Sequence, residues 1–347
     1  MEQYKEALCK EIIQFGRNCI DKQRADTVFI GGGTPSICPD EYILDIFGTL
    51  RSVFAFAGSA EVTVEVNPGT VRQEQLYFWK KLGINRLSIG VQSLNDDALK
   101  RLNRQQSSKD VFDLLDSAKK VFDNISIDLI LGLPGILEDE WKSMLEAVVF
   151  WPIKHISIYF LTVHENTRLH FMLKSKKVVL PDEDGLVDLY QWTADFLEKN
   201  GFKQYEISNF ARAGYECKHN EACWDRKPYK GFGLGACSFD GISRFQNHKN
   251  LKIYMGGIQR GDAVEILNET LTKEQIKLEK LMLGLRRSKG ISFSELFEGV
   301  SGDKKCEVEK NIAILKDKKF IYEKDGNLFL TFCGLMVENE IVAMLMV

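Results

Sequence analysis

The chain contains no stretch approaching the ~20 consecutive apolar residues that would cross a bilayer. Its start, MEQYKEALCKEIIQF, has neither the basic nor the apolar segment of a secretory signal. No integral membrane segment is expected, and a cytoplasmic location is. A surplus of either charge is also lacking, since 46 Lys and Arg stand against 49 Asp and Glu. No summed field favours nucleic acid or a membrane surface, so neither is expected as a partner. Low-complexity tracts and charge blocks are missing too, which removes the grounds for a disordered region. The eight cysteines, at 9, 19, 38, 217, 223, 237, 306 and 333, fall into no strong metal-binding spacing. Without a secretion signal they read as reduced thiols, not as a disulfide framework.

What is present is an ordinary globular composition, 44% hydrophobic and 27% charged over 347 residues. That length allows one large domain plus a smaller one. From 27 to about 210, short β-branched or aromatic runs alternate with longer stretches of helical period. Strands are predicted at 27–30, 61–66, 86–91, 125–131, 155–161 and 204–208. Helices are predicted at 40–53, 71–82, 95–102 with 108–122, 137–149 and 183–199, the last stopped by Gly201. Such βα units imply an α/β fold with a parallel sheet, and the pattern does not choose between a doubly wound sheet and a barrel. Residues 211–265, rich in Gly, Asn, His and aromatics, read as a loop or lid. The remainder, 266–347, holds three helical stretches and a hairpin turn at Asp325-Gly326, which suggests a winged-helix-like packing or interaction domain.

In parallel βα architectures, functional groups collect where strands end. After the first strand, Gly31 to Ser36 (GGGTPS) permits positive φ and brings backbone N–H groups close to an anion. The alternative is a tight βα turn in which Thr34 or Ser36 caps the next helix. Glu65 ends the second strand, where a carboxylate can accept from ribose hydroxyls. Gln92 ends the third and is either a ligand amide or a structural one. Asp128 interrupts the apolar run ISIDLIL, and Arg104 is a candidate partner for it or for a ligand carboxylate.

Taken together, VFIGGGTPS, VEVNPGT, NRLSIGVQSLNDDALKRLNR, DLILGLPG, QYEISNFAR and LGLRRSKGI closely resemble the HemW and HemN branch of radical SAM proteins, over nearly the whole chain from Tyr4. The resemblance implies a partial (β/α) TIM-like barrel of the radical SAM type with a small C-terminal helical, winged-helix-like domain. It implies S-adenosylmethionine as cofactor, with Gly32, Gly33 and Thr34 lining its methionine end. Glu65, Gln92, Arg104 and Asp128 fall at further contacts. The family also carries CxxxCxxC, whose three thiolates hold a [4Fe-4S] cluster. This sequence has no CxxxCxxC, and YKEALCKEI corresponds to the helix after the cluster loop. The expectation is that the first strand and cluster loop are absent, by a late start codon or a true deletion. Radical catalysis by the chain as written is then predicted to be absent.

The resemblance extends to YECKHNEACWD. HemW-type haem chaperones carry HNxxYW, and here His219, Asn220 and Trp224 match while Cys223 stands in the tyrosine's place. His219 is the candidate axial haem ligand. The alternative is a loop histidine bonded to the barrel rim. Cys223 is a candidate thiolate ligand, and Cys217, His219 and Cys223 form only an irregular metal triple. Three functions follow. The first is a HemW-like chaperone that binds haem or porphyrin and delivers haem to respiratory-chain acceptors. The second is an oxygen-independent coproporphyrinogen III dehydrogenase. The third is a degenerate, non-catalytic binding protein.

Overall fold

The computed structural model describes residues 1–346. Apolar residues at helical spacing make α1 (Glu2–Arg17), which buries Ala7 and Ile12 and leaves Glu6 and Lys10 in solvent. The chain continues through β1 (Gln23–Ile30), α2 (Asp40–Val53), β2 (Phe54–Val66), α3 (Gln73–Leu82) and β3 (Arg86–Gln92). Next come α4 (Asp96–Arg101), α5 (Ser108–Ala118), β4 (Asn124–Leu131), α6 (Glu138–Val148) and β5 (His155–Phe160). Then follow α7 (Arg168–Lys174), α8 (Glu183–Lys199), β6 (Lys203–Glu206) and β7 (Asn209–Ala211). Helix ends obey local chemistry. Ser107 and Asp110 form a capping box at the start of α5, and beyond α8 Gly201 takes φ +83°.

Seven strands form one sheet in the order β1-β2-β3-β4-β5-β7-β6. The pairs β1–β2 and β4–β5 are parallel, with Thr27 opposite Glu61 and Asp128 opposite Ser157. β3 and β4 carry fully buried Leu87, Ile89, Val91, Ile125, Ile127 and Leu129, the near-continuous apolar runs of strands covered on both faces. The expected strand at 204–208 is corrected. The chain makes two short strands there, β7 pairs antiparallel with both β6 and β5, and the sheet is not parallel throughout. β2 also reaches back to Phe54, directly at the end of α2, through FAFAGSA, whose Ala, Gly and Ser carry little β signal.

The stretch 211–265, expected as loop, holds α9 (Lys218–Trp224), β8 (Cys237–Phe239), β9 (Ser243–Asn247) and α10 (Leu251–Arg260). With β10 (Glu265–Thr270) the strands form an antiparallel sheet in the order β10-β9-β8. A buried carboxylate ties this region to α1: Glu11, 6% exposed, accepts from Tyr254 Oη (2.6 Å), Asn247 Nδ2 (2.6 Å) and the Gly233 amide (2.8 Å). Burial raises the Glu11 pKa, partly offset by these donors.

After it come α11 (Lys273–Leu285), β11 (Ile291–Ser292), α12 (Phe293–Leu296), α13 (Asp303–Asp317), β12 (Ile321–Lys324) and β13 (Asn327–Leu330), then α14 (Phe332–Met336) and α15 (Glu338–Leu345). Their core includes Leu281, Leu285, Val308, Ile312, Leu328 and Val342. Asp325 (φ +52°) and Gly326 (φ +77°) join β12 to β13, both positive as a two-residue hairpin requires. Contacts divide the chain into two compact units. One comprises Met1–Glu65, Val71–Arg86 and Cys217–Ile276; the other comprises Val66–Thr70, Leu87–Glu216 and the chain from Lys277 onward.

Candidate functional site

In the first unit, β1 runs into the glycine loop. Gly32 and Gly33 sit at φ +83° and +65°, and a Cβ on either would meet nothing within 4 Å, so their Cα faces border open space. Gly31 is different: a Cβ there would lie 2.7 Å from Phe29 and 2.9 Å from the Glu65 carboxyl carbon. The close neighbour is Glu65, whose Oε2 accepts from the Gly32 amide at 3.1 Å. Glycine is needed at 31 for space and at 32 and 33 for conformation. The Gly32 N–H, read from sequence as open to a ligand anion, is already given to Glu65. Thr34 and Ser36 do not cap α2, which follows Pro39 without a side-chain cap.

The same unit places His219. Thr27 and Phe29 project from one face of β1 by the strand's period of two. Thr27 Oγ1 lies 3.0 Å from His219 Nδ1, and the Phe29 ring stacks on the imidazole at 5.1 Å and 23°. Glu61, across from Thr27 in the β1–β2 register, accepts from the Lys218 and His219 amides (3.2 and 3.1 Å) and from the Cys217 thiol (3.5 Å). The carboxylate thus caps the start of α9. Arg86 Nε stands 4.0 Å from Glu61, and both residues are at least 95% buried, with Arg86 at 2% and Glu61 at 5% exposure. His219 therefore belongs to a held helix and not to a loop.

Burial pushes the His219 pKa down, opposed in part by the Glu61 charge, so the imidazole stays neutral at physiological pH. When Nδ1–H donates to Thr27, Nε2 keeps its lone pair. It faces Cys223 Sγ at 4.0 Å, one helical turn on. Burial raises the Cys223 thiol as well, and Cys217 is pushed up to about 11. Cys217 is thus a buried thiol bonded to Glu61, and the irregular triple does not share one centre. Glu61 and Arg86 were missed from sequence, although a charge opening each of the apolar strands EVTVEV and RLSIGV was a visible sign of an ion pair.

In the second unit, Gln92 ends β3 at φ +64°, and the Ser93 amide donates to Val91 O at 2.8 Å. This is a γ-turn of the strained hand, centred on a non-glycine residue. Gln106, also missed from sequence, braces it by donating to Gly90 O and Val91 O, both at 2.9 Å. Asp128 is half-buried and accepts from the neighbouring-strand Ser88 Oγ at 3.4 Å. Arg104 is half-buried after α4. Arg101, not Arg104, reaches the GLPG turn, donating to Pro134 O at 2.6 Å.

The cysteines do not fit an iron-sulfur cluster. Cys9 is within α1, Cys19 lies beyond its end, and Cys38 follows the Pro35–Ile37 turn. Among the described residues no three His, Cys, Asp or Glu side chains are placed to share a metal ion. None of the described helices is long and apolar enough to cross a membrane.

The pattern of the Radical SAM superfamily matches residues 2–148, which sets the class. The structure of coproporphyrinogen III oxidase (HemN) from Escherichia coli superposes with a TM-score of 0.83 at 23% identity, over 99% of this chain and 82% of that one. The shared fold is a curled half-barrel with added helices and small sheets. Heme chaperone HemW of Bacillus subtilis is 33% identical over 98% of this chain and 90% of its own length. HemW of Synechocystis is 33% identical over 94% and 79%, and the mitochondrial radical S-adenosyl methionine domain-containing protein 1 of Danio rerio is 32% identical over 92% and 74%. The chain belongs to the HemW family of radical SAM proteins.

Proposed function

We propose that this chain is a haem-binding chaperone that takes haem iron on His219 and passes it to haem-acceptor proteins of the respiratory chain. One observation carries the reading: a neutral imidazole, fixed through Nδ1 on Thr27 and by stacking on Phe29, presents Nε2 from a capped helix. Neutral imidazole nitrogen is the ligand that iron prefers, and a partner on the other nitrogen sets its orientation. Cys223 is the second candidate ligand. The names of the relatives agree with this cargo.

The glycine cradle and the polar strand ends support S-adenosylmethionine as a second ligand. Gly32, Gly33 and Thr34 would receive its methionine end, with Glu65 beside them. When bound, that cofactor supplies a sulfonium and a nucleoside; the cysteines present do not fit the cluster that would reduce it. Titrating haem into the protein tests the main reading. A Soret band should appear with one haem per chain and be lost or shifted in His219→Ala, and an identical spectrum in that variant would overturn it. Decarboxylation of coproporphyrinogen III by the same protein would instead favour the dehydrogenase.

A further inference from the structure

Between α6 and α8 the second unit holds a cavity of about 430 Å³, with walls drawn wholly from Leu87–Glu216. Small-molecule sites run from roughly 300 to 1,000 Å³, whereas a close-packed interior leaves few voids larger than a water. Leu133, Trp141 and Met144, none more than 9% exposed, line it together with Leu186 and Leu189 of α8. The Trp141 indole N–H is already given to Thr193 Oγ1 at 2.8 Å, so the ring adds apolar surface and no free donor. Gln92, Arg104 and Asp128, the cofactor contacts that the resemblance implies in this unit, are not among the walls.

Gly185, also in the lining, keeps the cavity open. It stands in the first turn of α8, and its amide donates to the N-cap Asp182 Oδ2 at 3.0 Å, a bond that any residue but proline makes. A Cβ there would meet only Asp182 Oδ2, at an ordinary 3.7 Å, and the backbone φ is not positive. Glycine weakens a helix relative to alanine, so neither backbone nor packing calls for one here. What its missing side chain leaves is room for a ligand. The ionisable groups at the cavity are of one sign. Glu138 and Glu140 open α6 and Asp182 caps α8; all three are exposed and line the cavity, and among the described residues that line it none is Lys, Arg or His. Asn95 Nδ2 donates to Glu140 Oε1 at 2.7 Å, and Lys142, outside the lining, donates to Glu138. A carboxylate has about four acceptor sites, so each keeps capacity for a further donor. Apolar walls that end in exposed carboxylates complement a molecule with an apolar body and a protonated nitrogen.

We propose that the cavity between α6 and α8 binds a small amphipathic amine, its apolar body against Trp141, Met144 and Leu189 and its ammonium group at Glu138, Glu140 and Asp182. The proposal goes beyond the haem reading and does not depend on it. The test titrates the full chain at pH 7 with octylamine, 1-octanol and octanoate, read by tryptophan fluorescence through Trp141 in the wall. Octylamine should bind saturably and roughly tenfold tighter than octanol, with octanoate weakest, because the three carboxylates act on the charge alone. Glu140→Gln should shrink the preference for amine over alcohol to roughly threefold. Gly185→Leu fills the cavity while replacing a helix glycine by a strong helix former, so it should keep its urea midpoint and lose all three ligands. Equal affinity for amine and alcohol, both lost in Gly185→Leu, would overturn the amine assignment. An octylamine titration that does not saturate, or that Gly185→Leu leaves unchanged, would overturn the site. Excess S-adenosylmethionine should leave octylamine bound, and competitive displacement would return the cavity to the cofactor and overturn the proposal.

Discussion

Glu61 does more for the ligand helix than any residue named from motif, because it caps α9 with one carboxylate and offsets Arg86 with the same charge. Replacing it leaves a guanidinium at 2% exposure without compensation. Glu61→Ala should therefore cost about 3–5 kcal/mol, read as a lower urea midpoint, and should broaden the haem spectrum by loosening His219. His219 gives a prediction in pH. Its folded pKa is depressed below the ordinary 6.5, so as pH falls through that value the unfolded chain takes up the proton first. Stability from the neutral ring is present above about pH 6.5 and declines below it, down to the folded pKa. Between about pH 7 and 5 the wild type should lose more stability than His219→Gln, and parallel curves would contradict a buried neutral ring. The residues that sequence identified were those at glycine-marked turns and strand ends. Gln92's positive φ and the bracing by Gln106 left no trace in composition, because an amide has the same letter whether strained or not.

At the scale of elements, legibility followed length. The strands from 86 and 125 were evident because buried β-branched runs are long. The antiparallel β7 has three residues and α9 seven, too few for a period to show, so 211–265 read as loop. The hairpin at Asp325-Gly326 was readable from its turn pair alone. Two segments, QYEISNFAR and LGLRRSKGI, had no role until the structure joined them. Glu206, 2% exposed, accepts from Arg286 Nε at 2.8 Å and from Asn209 Nδ2 at 2.6 Å, which ties α11 to β6. Arg286→Ala should destabilise the protein by about 3–5 kcal/mol, since it strands a buried carboxylate. Hydrogen exchange should show the loss first at β11–β13, and unchanged protection there would show the pair to be dispensable.

For the whole molecule, the outer strand of the seven-stranded sheet is the exposed feature: β1 is exposed or half-buried along its length, whereas β3 is buried at all but Gln92. An open edge of this kind pairs with other chains. Light scattering should show association that rises with concentration and falls in Ala25→Lys, a charge set on that edge. Incubation with iron and sulfide should leave the protein without the broad absorbance of a [4Fe-4S] cluster, because Cys9, Cys19 and Cys38 do not converge; appearance of that absorbance would refute the reading. The α/β class was legible because βα alternation is a long-range rhythm, while the barrel followed only from the family resemblance. The division into units was not, since the first unit is gathered from three separated stretches of chain. That interleaving sets a timetable at the ribosome. α1 is made before its partners, and Glu11 finds Asn247 only after 236 further residues have been added. At ordinary synthesis rates the nascent helix waits on the order of tens of seconds for its partners, with its apolar face within reach of any chaperone at the exit tunnel.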